Sequence, residues 1–139
     1  MTEVIARRGY RGPSDDDAIE AIHTELDALW DDASFVPEMD RMTFTTAVIE
    51  SAANIVQHAQ PVGEKPVEID VDITVQPTRL VARVSAHNAR EPFAEDMQAD
   101  LPDEEAESGR GLALIEMLVT TVTFERQDGT NTWILTRET

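Results

Sequence analysis

The stretch at residues 44–59 reads FTTAVIESAANIVQHA. Its apolar residues recur three and four positions apart, which is the spacing of one helical face. The pattern begins near Met39 and is stopped by Pro61 and Gly63, so we predict a long helix from about Met39 to Ala59. The predicted core-facing residues of this helix are Phe44, Ala47, Val48, Ala52, Ile55, Val56 and Ala59.

Three polar residues of the same helix, Glu50, Asn54 and His58, are spaced four apart and form one stripe beside the apolar face. At such a border a carboxylate, a carboxamide and an imidazole can project together into a cleft without the full cost of burial. Taken alone, this spacing is more typical of a solvated helix edge than of a site. The stripe indicates a binding site only in combination with other sequence motifs.

On the N-terminal side, residues 2–12 predict a short strand at the edge of a sheet. The segment Pro13-Ser14-Asp15 then predicts a helix start, because Ser or Asp caps free amides and the acids that follow suit the positive helix end. Ile19, Ile22, Leu26, Leu29 and Trp30 recur at helical spacing, and we expect this helix to end near Ala33.

On the C-terminal side, residues 67–75 alternate strictly between apolar and polar, which predicts a strand with one buried face. Residues 80–84 are its predicted antiparallel partner across a turn at 76–79. Two closing strands are predicted at 121–126 and 132–137, joined by a loop at 127–131 that contains the turn signal Asp-Gly.

Residues 94–108 hold seven Asp and Glu and no Lys or Arg, so they offer little apolar surface to bury. We expect a long loop there that acts as a lid. Gly109-Arg110-Gly111-Leu112 follows and opens a short helix that runs to Val119. Glycines at this point allow close approach of a ligand, and the free amides of a helix start attract phosphate, although a lone Gly-x-Gly is weak evidence.

The order of elements predicts one domain over residues 1–139 with an α+β fold, a two-layer sandwich in which helices cover one face of a mostly antiparallel sheet. The composition disfavours some classes of binding partner. Subtracting 28 Asp and Glu from 11 Lys and Arg leaves a formal net charge of −17, which disfavours binding to nucleic acid or to anionic membranes. The chain has no cysteine and no long apolar run, so we expect a cytoplasmic protein without disulfides.

The combination of two motifs and the elements between them resembles the histidine-kinase-like ATPase superfamily, the gyrase, histidine-kinase and MutL group. The first motif is Glu50-x3-Asn54-x3-His58-Ala59 on a helix. A hairpin and a long loop follow it, and the second motif is Gly109-Arg110-Gly111-Leu112 before another helix. Residues 44–59 look most like the small anti-sigma-factor serine kinases of bacteria. The resemblance spans nearly the whole chain, from about Ile5 to Thr136, and implies the Bergerat-type ATP-binding fold.

The resemblance implies a set of site residues. Asn54 would hold the Mg²⁺ that bridges the phosphates of ATP, a role that suits a hard amide oxygen. Glu50 would be the catalytic base for an attacking hydroxyl or water. The nucleotide would further be bordered by His58, Thr130, Gly109, Arg110, Gly111 and Leu112.

One family feature is missing. The strand-end box Asp-x-Gly, whose aspartate accepts the adenine amino proton, has no counterpart in residues 84–93, which read VSAHNAREPF. One register places Ala86 and Asn88 in the box, and the next places His87 and Ala89. The carboxamide of Asn88 could replace the aspartate because it both accepts and donates.

Two functions of different class therefore stay open. In the first, the chain is a serine-protein kinase and anti-sigma factor that binds ATP and Mg²⁺, phosphorylates an anti-sigma-factor antagonist, and pairs with a sigma factor and with a second copy of itself. In the second, the fold has lost nucleotide binding and acts only as a protein-binding regulator.

Overall fold

A computed structural model describes residues 3–92 and 114–139 of the chain. Five strands form one antiparallel sheet in the order β1-β2-β3-β5-β4. The strands are β1 (Ala6–Pro13), β2 (Glu68–Gln76), β3 (Arg79–His87), β4 (Thr121–Gln127) and β5 (Thr130–Glu138), and the helices are α1 (Asp16–Asp32) and α2 (Glu38–His58). The predicted α+β architecture and the edge position of the first strand are confirmed.

The sheet buries one face against the helices. Alternate residues of β2 are buried, namely Ile69, Val71, Ile73 and Val75, and their cross-strand neighbours Leu80, Ala82, Val84 and Ala86 on β3 are fully buried. Helix α1 packs on β1, and α2 packs on β3, β5 and β2. All these side chains join one hydrophobic cluster, because a sheet with a single apolar face needs one covering layer.

The two helices begin differently. Asp15 caps α1 by accepting a hydrogen bond from the backbone N–H of Ala18 at 3.0 Å, as the sequence predicts. Helix α2 begins after Pro37 without any side-chain cap, so packing has to hold this end in place. Phe44, Ala47, Val48, Ala52 and Ile55 form its buried face as predicted, whereas Val56 and Ala59 are only half-buried.

Three predicted boundaries are wrong. Strand β1 begins at Ala6 rather than near residue 2. Strand β3 runs on from Val84 to His87, because the added residues find partners on β2 and β5. The predicted loop at 127–131 is a two-residue turn, Asp128-Gly129, with positive φ at both residues (52° and 78°). This geometry matches the twist of a hairpin, so Thr130 and Asn131 belong to strand β5.

Residues 114–118 form a short helix whose Ile115 is buried in the common core. It coincides with part of the helix predicted up to Val119. The predicted lid at 94–108 and the motif Gly109-Arg110-Gly111-Leu112 lie outside the described residues.

No helix among the described residues covers the other face of the sheet, and this face is charged. Arg7 donates two hydrogen bonds to Asp72 at 2.8 and 2.7 Å, and Arg11 donates one to Glu68 at 2.9 Å. The Arg11 guanidinium holds the pKa of the Glu68 carboxyl below its usual value, mainly through that hydrogen bond. Such cross-strand charge pairs keep an uncovered sheet face in water.

We expect Gly9→Ala to destabilise the fold by about 1–3 kcal/mol, the usual cost of overpacking. A Cβ at Gly9 would lie 2.9 Å from the backbone oxygen of Val71, and backbone on the neighbouring strand cannot easily move away. The matched control is Gly12→Ala on the same strand, whose Cβ would meet only the rotatable Tyr10 ring. Chemical denaturation measures both variants, and equal stabilities would contradict the prediction.

Candidate functional site

A cavity of about 170 Å³ lies between the C-terminal half of α2, the segment that follows β3, and the start of β5. Its polar walls include Asn54 and His58 from α2 and Asn131 from β5, and Trp133 closes its apolar side. A cavity of about 150 Å³ in another protein accommodates one benzene ring, so this space is large enough to admit a flat ring.

Asn54 and His58 reach the cavity because they lie one helical turn apart on the border of the buried face. Asn54 is buried, with 9% of its surface exposed, and so is more enclosed than its predicted border position suggests. The Nε2 atom of His58 is buried and has no hydrogen-bond partner among the described residues. A buried imidazole nitrogen without a partner is costly, and a polar group of a bound molecule would relieve that cost.

Glu50 lies one further turn toward the N-terminus, about 6 Å along the helix axis from Asn54. It is half-buried and does not line the cavity. The structure therefore places the three residues of the predicted stripe on one side of α2, with two of them at the cavity and the carboxylate beyond its edge.

Backbone hydrogen bonds hold the segment after β3 against the end of α2. The N–H of Arg90 donates to the carbonyl oxygen of Gln60 at 2.8 Å, and the N–H of Ala89 donates to that of Gly129 at 3.0 Å. Arg90, Glu91 and Pro92 then continue along the cavity wall. The wall is thus tied both to α2 and to the β4–β5 turn.

The two other predicted binding residues that the structure describes point elsewhere. Asn88 has a positive φ of 61°, and its Nδ2 donates to the carbonyl oxygen of Pro66 at 3.3 Å. The Thr130 hydroxyl lies 2.9 Å from Nδ1 of His87, whose Nε2 lies 3.1 Å from Asp70. Neither Asn88 nor Thr130 lines the cavity. Their predicted roles remain predictions.

Asn131 is a cavity residue that the sequence does not single out, because the Asp-Gly signal predicts a loop over residues 127–131. Asn131, Trp133 and Leu135 are every second residue of β5, and all three are buried. A polar residue at an inward position of an alternating strand was the signal that could have identified it.

The model of the family described as histidine kinase-like ATPase domain matches residues 12–137. The chain belongs to this family. Membership confirms the family predicted from the combined motifs, and an ATPase domain of this type binds ATP with Mg²⁺ in general. A search of curated proteins finds no significant match.

The histidine kinase-like ATPase domain also has a structural neighbour, described as the RsbU and RsbW domains of Rv1364c from Mycobacterium tuberculosis. The two share a TM-score of 0.66 and 18% sequence identity over 95% of this chain. The match spans only 32% of that longer chain, so it bears on the fold of this domain alone. In the described ranges no helix is long and apolar enough to cross a membrane.

The side chains at the cavity fit the cofactors that the family implies. Mg²⁺ binds hard oxygen ligands and commonly takes only one or two from protein when nucleotide phosphates supply others, and the buried Asn54 offers an amide oxygen. The unpaired Nε2 of His58 offers a further polar contact beside it.

Proposed function

We propose that this protein is a bacterial anti-sigma factor and serine-protein kinase that phosphorylates an anti-sigma-factor antagonist in a partner-switching pathway. The observation that carries the proposal is the cavity in which Asn54 and His58 of the predicted stripe meet, in a chain of an ATPase family. The resemblance of residues 44–59 to anti-sigma-factor serine kinases supports the finer assignment.

In this proposal Asn54 holds Mg²⁺ through its amide oxygen, and Glu50 accepts the proton of a serine hydroxyl. Mg·ATP, when bound, supplies the phosphoryl group to be transferred. The position of Glu50 just outside the cavity suits a base that acts on a hydroxyl arriving from a partner protein. The phosphate contacts proposed for Gly109 to Leu112 lie outside the described residues.

The partners proposed for the chain are a sigma factor, the antagonist and a second copy of itself, and the proposed location is the cytoplasm. Direct binding to nucleic acid is not part of the proposal, because a net charge of −17 repels phosphate backbones.

A second candidate is a protein-binding regulator of the same fold that has lost nucleotide binding. The end of β3 favours it. Ala86 is fully buried and presents only a methyl group, while the imidazole of His87 contacts Asp70 and Thr130 away from the cavity. Without the aspartate of the Asp-x-Gly box, this end of β3 lacks one acceptor for the amino group of a base.

Calorimetric titration with Mg·ADP and Mg·ATP separates the two candidates. We expect wild type to bind both nucleotides and Asn54→Ala to bind them at least about tenfold more weakly, because the metal loses a ligand. Removing Mg²⁺ with EDTA should weaken binding by wild type but hardly change the residual binding by Asn54→Ala.

Gln57→Ala is the matched control, since Gln57 is exposed on the same helix and does not line the cavity. Thermal unfolding of each variant checks that it is folded. An Asn54→Ala variant that binds as tightly as wild type would show the metal assignment to be wrong. No binding by wild type at millimolar nucleotide would refute the kinase proposal and leave the protein-binding regulator.

A further inference from the structure

Asn131 occupies an unusual place for a carboxamide. It lies near the start of β5 with 2% of its surface exposed, opposite Ala86 of β3 in the sheet register. It lines the same cavity as Asn54 and His58. A buried amide in a largely apolar core is costly unless its hydrogen-bonding groups are used.

Two hydrogen bonds fix the orientation of this amide. Arg126 donates from Nη1 to Oδ1 of Asn131 at 2.6 Å, and Nδ2 of Asn131 donates to the carbonyl oxygen of Arg90 at 2.7 Å. A guanidinium only donates and a carbonyl only accepts, so the amide oxygen has to face Arg126 and the amide nitrogen has to face Arg90. The same Nη1 also donates to the carbonyl oxygen of Ala89 at 3.0 Å.

These contacts use half of the capacity of the amide. A carboxamide has two N–H donors and two acceptor lone pairs, so one donor and one acceptor remain on Asn131 after the bonds to Arg90 and Arg126. An adenine edge presents an amino donor beside a ring-nitrogen acceptor, and asparagine pairs with such an edge through two hydrogen bonds.

We infer that Asn131 is the residue that recognises the purine base in this cavity and selects adenine. This inference rests on the proposed nucleotide binding and adds the group that reads the base. Hypoxanthine, the base of inosine nucleotides, has an acceptor and a donor in the opposite order along the same edge. An amide that Arg126 and Arg90 hold in one orientation therefore matches adenine and mismatches hypoxanthine.

The test compares the affinities for Mg·ADP and Mg·IDP by calorimetry. We expect wild type to prefer ADP by about tenfold or more, which corresponds to one or two mismatched hydrogen bonds. Asn131→Asp has nearly the same shape and still accepts from Arg126, but it has no N–H to donate to the base or to the carbonyl oxygen of Arg90. The preference for ADP over IDP should therefore fall toward one in this variant.

Arg126→Met is a second variant that touches no part of the proposed ligand. The exposed Arg126 is replaced by a side chain of similar length, and the amide of Asn131 keeps only its bond to Arg90. Its ADP preference should fall by a smaller factor than in Asn131→Asp. This variant tests the inference even where Asn131→Asp does not fold, which thermal unfolding will show.

Asn88→Gly is the matched control, because Asn88 is the competing candidate for base recognition and glycine tolerates its positive φ. We expect this variant to keep the ADP preference of wild type. If Asn131 had a merely structural role, Asn131→Asp would weaken ADP and IDP binding together and leave the ratio of the two affinities unchanged. This result would overturn the inference. A ratio that changes only in Asn88→Gly would overturn it as well. No nucleotide binding by wild type would refute the proposed function and the inference together, whereas ADP binding with an unaltered ratio refutes only the inference.

Discussion

Phe44→Ala is expected to lower the free energy of unfolding by about 3–5 kcal/mol, the usual loss for a buried phenylalanine. Phe44 is fully buried and is among the largest buried side chains of the chain. It lies in the N-terminal third of α2, whose first residue has no side-chain cap, so packing has to anchor this part of the helix. The gain in helix propensity from alanine, roughly 0.5 kcal/mol, offsets little of the loss.

Urea denaturation followed by circular dichroism measures this change. Phe35→Ala is the matched control, because Phe35 lies in the α1–α2 connection with 53% of its surface exposed, and its loss should cost far less. If Phe44→Ala unfolded at the same urea concentration as Phe35→Ala, the packing of α2 on the sheet described above would be wrong.

Glu50→Gln is expected to slow phosphoryl transfer from Mg·ATP by about 10²–10⁴-fold, the usual contribution of a general base. A glutamine of the same size keeps the helix intact but cannot accept the proton. Nucleotide affinity should stay close to that of wild type, since Glu50 does not line the cavity.

Single-turnover release of labelled phosphate from Mg·ATP measures the rate, with water in the place of the serine hydroxyl. Glu38→Gln is the control, an exposed glutamate at the other end of α2. Wild-type release by Glu50→Gln would exclude Glu50 as the base. Equal losses of binding and rate would assign it a role in holding the nucleotide.

The elements of the fold could be predicted because their signals are local. The alternation in residues 67–75 and the helical spacing in residues 44–59 each specify one apolar face, and burial of those faces against each other leaves few arrangements. The ends of the strands could not be predicted in the same way. Ser85 to His87 read as polar chain and become strand only because β2 and β5 supply partners.

The site was predicted only in part for the same reason. Asn54 and His58 share a cavity because a spacing of four places them on one side of a helix. Asn88 lies close in sequence to the cavity wall, yet its positive φ and its bond to Pro66 take its side chain away from the cavity. Closeness in sequence does not indicate in which direction a side chain points.

The helices, most of each strand and the polar stripe on α2 could be predicted from the sequence, because each depends on residue spacing within one segment. The family could be predicted from the combination of two motifs that lie far apart in the chain. The contact of Asn131 with the cavity, and the orientation of its amide by Arg126 and Arg90, could be seen only in the folded chain. Those contacts join the segment after β3 to the β4–β5 hairpin. Their geometry follows from strand register and a two-residue turn, which are set when separate segments pair.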